Sequence, residues 1–338
     1  MKKKFLFRST SLVLTVILLT VMTGVFSSCD RTGEKDSVKK LFVFDTDVGT
    51  DDAAAIMLLA KKEGILPDYI VATHGNASAE QSVKNAIILT HYLECTQATV
   101  VAGMKPEIED NGEKNTFHGK DGLANISEKT AEKCNLKESD YNDYMKFDDF
   151  CNELLKADEI TYIAVGPVTN LAYLVKNDDI RSKIKTVYLM GGGIKEFNCS
   201  HNTEFNFSKN PEAVREVLNS GLDITLFPLD LTNSQYLNEK EIDTLESFGN
   251  YEEYITFLRF CLNSNVEYNG TKEAVLHDCM PVLYYANPEK YTISSMKLVS
   301  DEYGALRESD DGINIKVATK VEDGFLKSEL TDIFSNGE

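Results

Sequence analysis

The sequence predicts an α/β fold: an open, mainly parallel (Rossmann-like) sheet flanked by helices, with a helical C-terminal section and a small antiparallel hairpin. Three observations carry this expectation. Short apolar runs alternate with helix-length segments through the first two thirds of the chain. The runs are apolar at consecutive positions, so both faces of each strand are covered, as in parallel strands between helices. After Lys290 the pattern changes to ISSMKLV and INIKVATKV, whose alternation reads as the antiparallel hairpin.

The elements follow in order. Leu41–Phe44 (LFVF) is a strand and Ala53–Lys62 a helix. Tyr69–Thr73 (YIVAT) is a strand, Ala79–Glu94 a helix and Thr99–Ala102 a short strand. Ile160–Val165 (ITYIAV) is a strand that runs into GPVTN and a helix from Leu171. Thr186–Met190 is a strand ending in Gly191-Gly192-Gly193. Asn210-Pro211 opens a helix through Leu218, because proline suits the first helical turn. Ile224–Pro228 is a further strand. Helical patterns then span Tyr251–Asn263 and Asp278–Tyr285, and a last helix covers Gly324–Phe334. In such folds the ligand lies beyond the carboxyl ends of the strands, so motifs there carry the most weight.

Composition bounds the rest. The chain has 338 residues, 42% apolar and 26% charged, which excludes collagen-like, low-complexity and disordered classes. A net charge of −19 repels phosphates, so no nucleic-acid partner is expected. Lys2–Lys4 and Arg8 precede an apolar run from Ser11 to Phe26, too short for a spanning helix. Ser27, Ser28 and Cys29 follow, resembling a bacterial lipoprotein cleavage site with Cys29 as the lipidated residue. The expected organisation is a signal peptide over 1–28, a polar tether over 29–40 and a single domain over 41–338. Membrane contact is then expected only through the N-terminal lipid anchor, at the envelope of an exporting cell. The six other cysteines contain no CxxC and read mostly as buried free thiols.

The strongest signal is Asp45-Thr46-Asp47-Val48-Gly49-Thr50-Asp51-Asp52, after the first strand. One or two of these carboxylates could cap the following helix. Four together repel one another unless a cation joins them. Oxygen ligands without nearby His or Cys favour Ca²⁺ or Mg²⁺ over zinc.

DTDVGTDDAAAI resembles the DxDxGxDD signature of the inosine–uridine nucleoside hydrolases, and further pieces of that family's pattern follow in order. They are His74-Gly75-Asn76, HGKDGL at 118–123, VGPVTN at 165–170 and MGG at 190–192. Next come Asn198 ahead of Glu204-Phe205-Asn206, then NPEA at 210–213 and His277-Asp278. Phe197 and the Cys199-Ser200-His201-Asn202 loop depart from the family pattern.

The resemblance implies a calcium-dependent enzyme that hydrolyses the N-glycosidic bond of ribonucleosides to ribose and free base. It implies metal ligation by Asp47, Asp52, Asp278 and the backbone carbonyl of Val165. Asp47 would be the general base, and His277 would protonate the departing base. Asp51, Asn76, His118, Asn198, Glu204 and Asn206 would bind substrate. A homo-oligomer, dimer or tetramer, is expected by the same analogy. A His before Asp278 resembles the non-specific members more than the purine-specific ones. Asp45 reads as a structural residue that hydrogen-bonds backbone amides of the loop.

Two other readings compete with this one. An Asp-x-Asp after a first strand also resembles haloacid-dehalogenase phosphatases, but Gly49 stands where they carry Thr or Val, and no late GDxxxD follows. An exported lipoprotein that captures nucleosides or ribose without cleaving them is the non-enzymatic alternative.

Overall fold

The computed structural model describes residues 38–104 and 117–337. The signal-like segment, Cys29 and most of the tether lie outside the described residues. Twelve strands occur among these residues: β1 Lys40–Thr46, β2 Tyr69–Ala72, β3 Thr99–Ala102, β4 Met145–Lys146, β5 Glu159–Ala164 and β6 Ile184–Met190. The others are β7 Ile224–Phe227, β8 Tyr236–Leu237, β9 Ala274–Val275, β10 Tyr291–Ser300, β11 Leu306–Glu308 and β12 Ile313–Val321. Ten form one sheet in the order β11-β10-β12-β7-β6-β5-β1-β2-β3-β4. From β4 through β12 every neighbouring pair is parallel. β10 pairs antiparallel with both β12 and β11 at one edge. The expected hairpin therefore exists, but it extends the main sheet. A separate two-stranded antiparallel ribbon, β8 with β9, was not expected.

β1 shows why a parallel sheet forms. Its side chains alternate between two buried faces. Phe42 and Phe44 join the core under helices Thr50–Lys61, Glu252–Tyr268, Cys279–Ala286 and Phe325–Ser335. Leu41 and Val43 join the opposite core, with helices Phe147–Leu154, Thr169–Val175 and Pro211–Leu218. Helices Ser127–Lys133, Phe147–Leu154 and Glu239–Glu246 have no counterpart in the sequence expectations. They are short, and short apolar patterns do not separate helix from loop. The last helix begins one residue later than expected, because Gly324 adopts φ +71° just before it.

Strand order reverses at β1, which has β2 on one side and β5 on the other. Chain connections leave the sheet in opposite directions there, opening a crevice beyond the strand ends. The acidic loop leaves β1 at this point, Val165 follows β5, and His74–Asn76 follow β2.

Candidate active site

Asp45 ends up facing the sheet and not the crevice. It accepts from Tyr162 Oη at 2.6 Å and from Asn170 Nδ2 at 3.1 Å. Burial still pushes its pKa up to about 7, against those two hydrogen bonds. Asp45 thus serves as a structural anchor joining β1 to β5 and the turn after it.

The other three acids of the loop face one another in the crevice. Val48 adopts φ +46°, an unusual backbone for a β-branched residue, costing about 1–3 kcal/mol. That turn, with Gly49, brings Asp51 and Asp52 into the first turn of helix Thr50–Lys61. Asp52 accepts from the Gly49 amide at 2.7 Å, from Asn76 Nδ2 at 3.1 Å and from the Thr46 hydroxyl. Asp47 accepts from the Asn76 amide at 2.6 Å through Oδ2. Gly75 is required beside it: a Cβ there would fall 1.9 Å from Asp47 Oδ2. Asp278, far along the chain, completes the group. Oxygens of Asp51, Asp52 and Asp278 lie within 4.8 Å of one another, all buried.

These carboxylates are under electrostatic strain. Burial is the main cause, and for Asp47, Asp52 and Asp278 mutual repulsion adds to it. Asp51 is pushed up to about 6. Asp47, Asp52 and Asp278 are raised as well, Asp47 by burial and then by Asp52, Asp278 by burial and then by Asp51. Two unit charges at this spacing repel by about 3 kcal/mol at an effective dielectric of 20. Asp47 Oδ1 and Asp51 Oδ1 are buried with no hydrogen-bond partner. Orphaned, converging carboxylate oxygens are the donor set a hard divalent cation takes, so the residues fit a metal.

The remaining expected residues surround this centre. The Val165 carbonyl accepts from Asn206 Nδ2 at 2.7 Å, which leaves it a second lone pair. Glu204 caps helix Phe205–Lys209 and accepts the amides of Gly192, Asn206 and Phe207 at 2.8–3.1 Å. Burial raises its pKa, and Asp51 adds to the rise. His118 Nδ1 contacts the Thr50 hydroxyl at 2.8 Å and lies 3.6 Å from Asp51 Oδ1. Burial pushes His118 down to about 4. His277 Nδ1 meets the Thr232 hydroxyl at 2.7 Å. Its pKa also falls to about 4, through burial and then through facing His118. His277 is therefore neutral at pH 7. Asn198 is exposed and reaches inward only as far as the Phe205 amide, at 3.0 Å.

Sequence reasoning gave no role to Tyr162, Asn170, Ser82 or Asn85, which support the acidic loop from below. Asn170 stood inside the quoted VGPVTN without a role. Ser82 and Asn85 are buried polar residues three apart on one helix face, a spacing that marks a shared contact. Tyr254 and Tyr284 pack against other aromatics. All six cysteines outside the N-terminus are free; Cys95, Cys261 and Cys279 are buried and the others partly so.

Buried, mutually repelling carboxylates at the switch point of a parallel sheet define an enzyme site for a small polar substrate. Residues 42–327 match the inosine-uridine preferring nucleoside hydrolase family, and the chain belongs to it: it is an enzyme acting on N-glycosyl bonds. It is 25% identical over 273 residues to the non-specific ribonucleoside hydrolase RihC of Escherichia fergusonii, covering 80% of this chain and 87% of that protein. It is 28% identical over 261 residues to a probable uridine nucleosidase 2 of Oryza sativa, covering 74% and 75%. The fold is similar to a plant nucleoside hydrolase, PpNRh1 (TM-score 0.77, 22% identity, 89% and 100% covered). It is also similar to a purine-preferring ribonucleoside hydrolase from Gardnerella vaginalis (TM-score 0.75, 23% identity, 88% and 98% covered).

Proposed function

We propose that this protein hydrolyses the N-glycosidic bond of ribonucleosides, with bound calcium, to give ribose and free base. The observation that carries this reading is Asp47 Oδ1, buried and unpartnered beside the Asp51–Asp52–Asp278 cluster. Asp47, Asp52, Asp278 and the Val165 carbonyl would hold the metal. When bound, calcium supplies positive charge that offsets the cluster and acidifies a water.

The chain's own groups account for the rest. Asp47, whose pKa is raised, accepts a proton from water at Oδ1 as general base. Asp51, Asn76, Asn198, Glu204 and Asn206 hold the sugar hydroxyls and so orient the anomeric carbon. The sugar becomes oxocarbenium-like as the base departs on the face opposite the water. His118 and His277 flank that side. With the Thr232 hydroxyl donating to Nδ1, neutral His277 presents its Nε2–H as a hydrogen-bond donor to the base as negative charge builds there. A broad nucleobase preference, export with lipidation at Cys29 and assembly into a dimer or tetramer belong to the same proposal.

The test is ribose release from inosine and uridine by protein lacking residues 1–29, with calcium, beside Asp47→Ala. We expect release by the unaltered protein, and a loss of roughly 10²–10⁴ or more in kcat for the variant. Calcium-dependent nucleoside binding without ribose release would favour the capturing lipoprotein instead.

A further inference from the structure

We infer that Asn85 is a positioning residue that locks the acidic loop and the His118 loop into one unit and so sets the metal affinity of the site. The inference deepens the calcium reading and rests on it. Asn85 lies in helix Ala79–Tyr92 and is fully buried. Its Nδ2 has two hydrogens and both are used: it donates to the Val48 carbonyl at 3.2 Å and to the Asp121 carbonyl at 2.7 Å. Its Oδ1 accepts from Gln81 Nε2 at 2.9 Å, so neither end of the amide is free to turn over.

Val48 is where this matters. A buried valine at φ +46° holds that backbone only if its surroundings over-determine it. Asn85 holds its carbonyl, and Ser82 Oγ, one turn earlier on the same helix, holds the carbonyl of Asp47 at 3.0 Å. Together they fix the peptides that aim Asp47 and Gly49. The other Asn85 hydrogen fixes Asp121, in the loop whose His118 bonds Thr50. Gly122 lets that loop close: a Cβ there would lie 3.0 Å from both Asn85 Nδ2 and the Val48 carbonyl. Loss of Asn85 leaves the buried Val48 carbonyl and the part-buried Asp121 carbonyl without this donor and lets Val48 relax toward negative φ, which rotates Asp47 away from Asp52.

The experiment uses the full chain as wild type, Asn85→Ala, Val48→Gly and the double variant. Calcium affinity is read by titration calorimetry, and kcat and KM by ribose release. We expect Asn85→Ala to weaken calcium binding at least tenfold and to lower kcat. Val48→Gly alone should move the affinity less than threefold. Added to Asn85→Ala it should recover most of the loss, because glycine adopts the left-handed turn without being held. Wild-type calcium affinity in Asn85→Ala, or additive effects in the double variant, would overturn the inference. If the wild type itself takes up no calcium, the calcium reading fails, and melting temperatures of the four proteins in chelator decide the lock by the same non-additivity. If Asn85→Ala does not fold, Asn85→Ser, which keeps one donor, must show the same rescue.

Discussion

Single residues in this site hold charge that the fold makes costly. Burial raises the pKa of Asp45 to about 7 and of Asp51 to about 6, and raises Asp47, Asp52 and Asp278 too. Because the folded values lie above the unfolded ones, the folded chain retains protons between about pH 4 and 7 that the unfolded chain has released. Metal-free stability must therefore fall as pH rises through that window. On the proposed calcium reading, the metal would need the ionised carboxylates and would displace their protons. We expect the metal-free melting temperature to drop from pH 5 to pH 7.5, and millimolar calcium to restore it at pH 7.5 far more than at pH 5. An equal calcium shift at both values would rule out the carboxylate cluster as the binding site. The acids were legible in the sequence because four in eight residues have few innocent explanations. The neutrality of His277 was not, because it depends on burial by the tertiary fold and then on His118, which lies more than 150 positions away in sequence.

At the scale of elements, the ends of β1, β2, β5 and β6 lead into the segments that carry the acidic loop, Asn76, Val165 and Glu204. The 198–203 loop differs from the rest because it is the most exposed. His201, at φ +59°, stacks on Tyr303 with ring centroids 4.1 Å apart and planes 7° from parallel. Tyr303 belongs to the turn between β10 and β11, whose Gly304 abuts the Phe207 carbonyl. The C-terminal extension of the sheet thus braces the loop that bears Asn198 and leads to Glu204. Tyr303→Ala should raise KM for nucleosides several-fold with kcat within about threefold, since it loosens a sugar-holding loop and leaves the carboxylates in place. Tyr303→Phe should restore KM. An unchanged KM in Tyr303→Ala would show that the stack has no part in binding. The departure from the family pattern at Cys199–Asn202 was visible in the sequence. Its stacking partner, some hundred residues later, was not.

For the whole molecule, ten strands share a single sheet covered on both faces, eight of them paired in parallel and β10 alone running against the rest. If Cys29 carries lipid, the intact chain expressed in a bacterium that exports it should enter the detergent phase on phase separation. A Cys29→Ser variant should stay in the aqueous phase with its ribose release intact. Aqueous partition of both would remove the anchor from the proposal.

By itself the sequence determined the strand–helix alternation, the parallel character of the sheet and the acidic loop at the end of its first strand. These depend on local periodicity and on residues close together in the chain. Tertiary structure alone decided which distant groups meet that loop. It brought Asp278 to Asp51 and Asp52, turned Asp45 toward Tyr162 and Asn170, and set Asn85 beneath Val48. The reason is physical: desolvation, repulsion and hydrogen-bond satisfaction are properties of what surrounds an atom in space, and a one-dimensional spacing does not specify that surrounding.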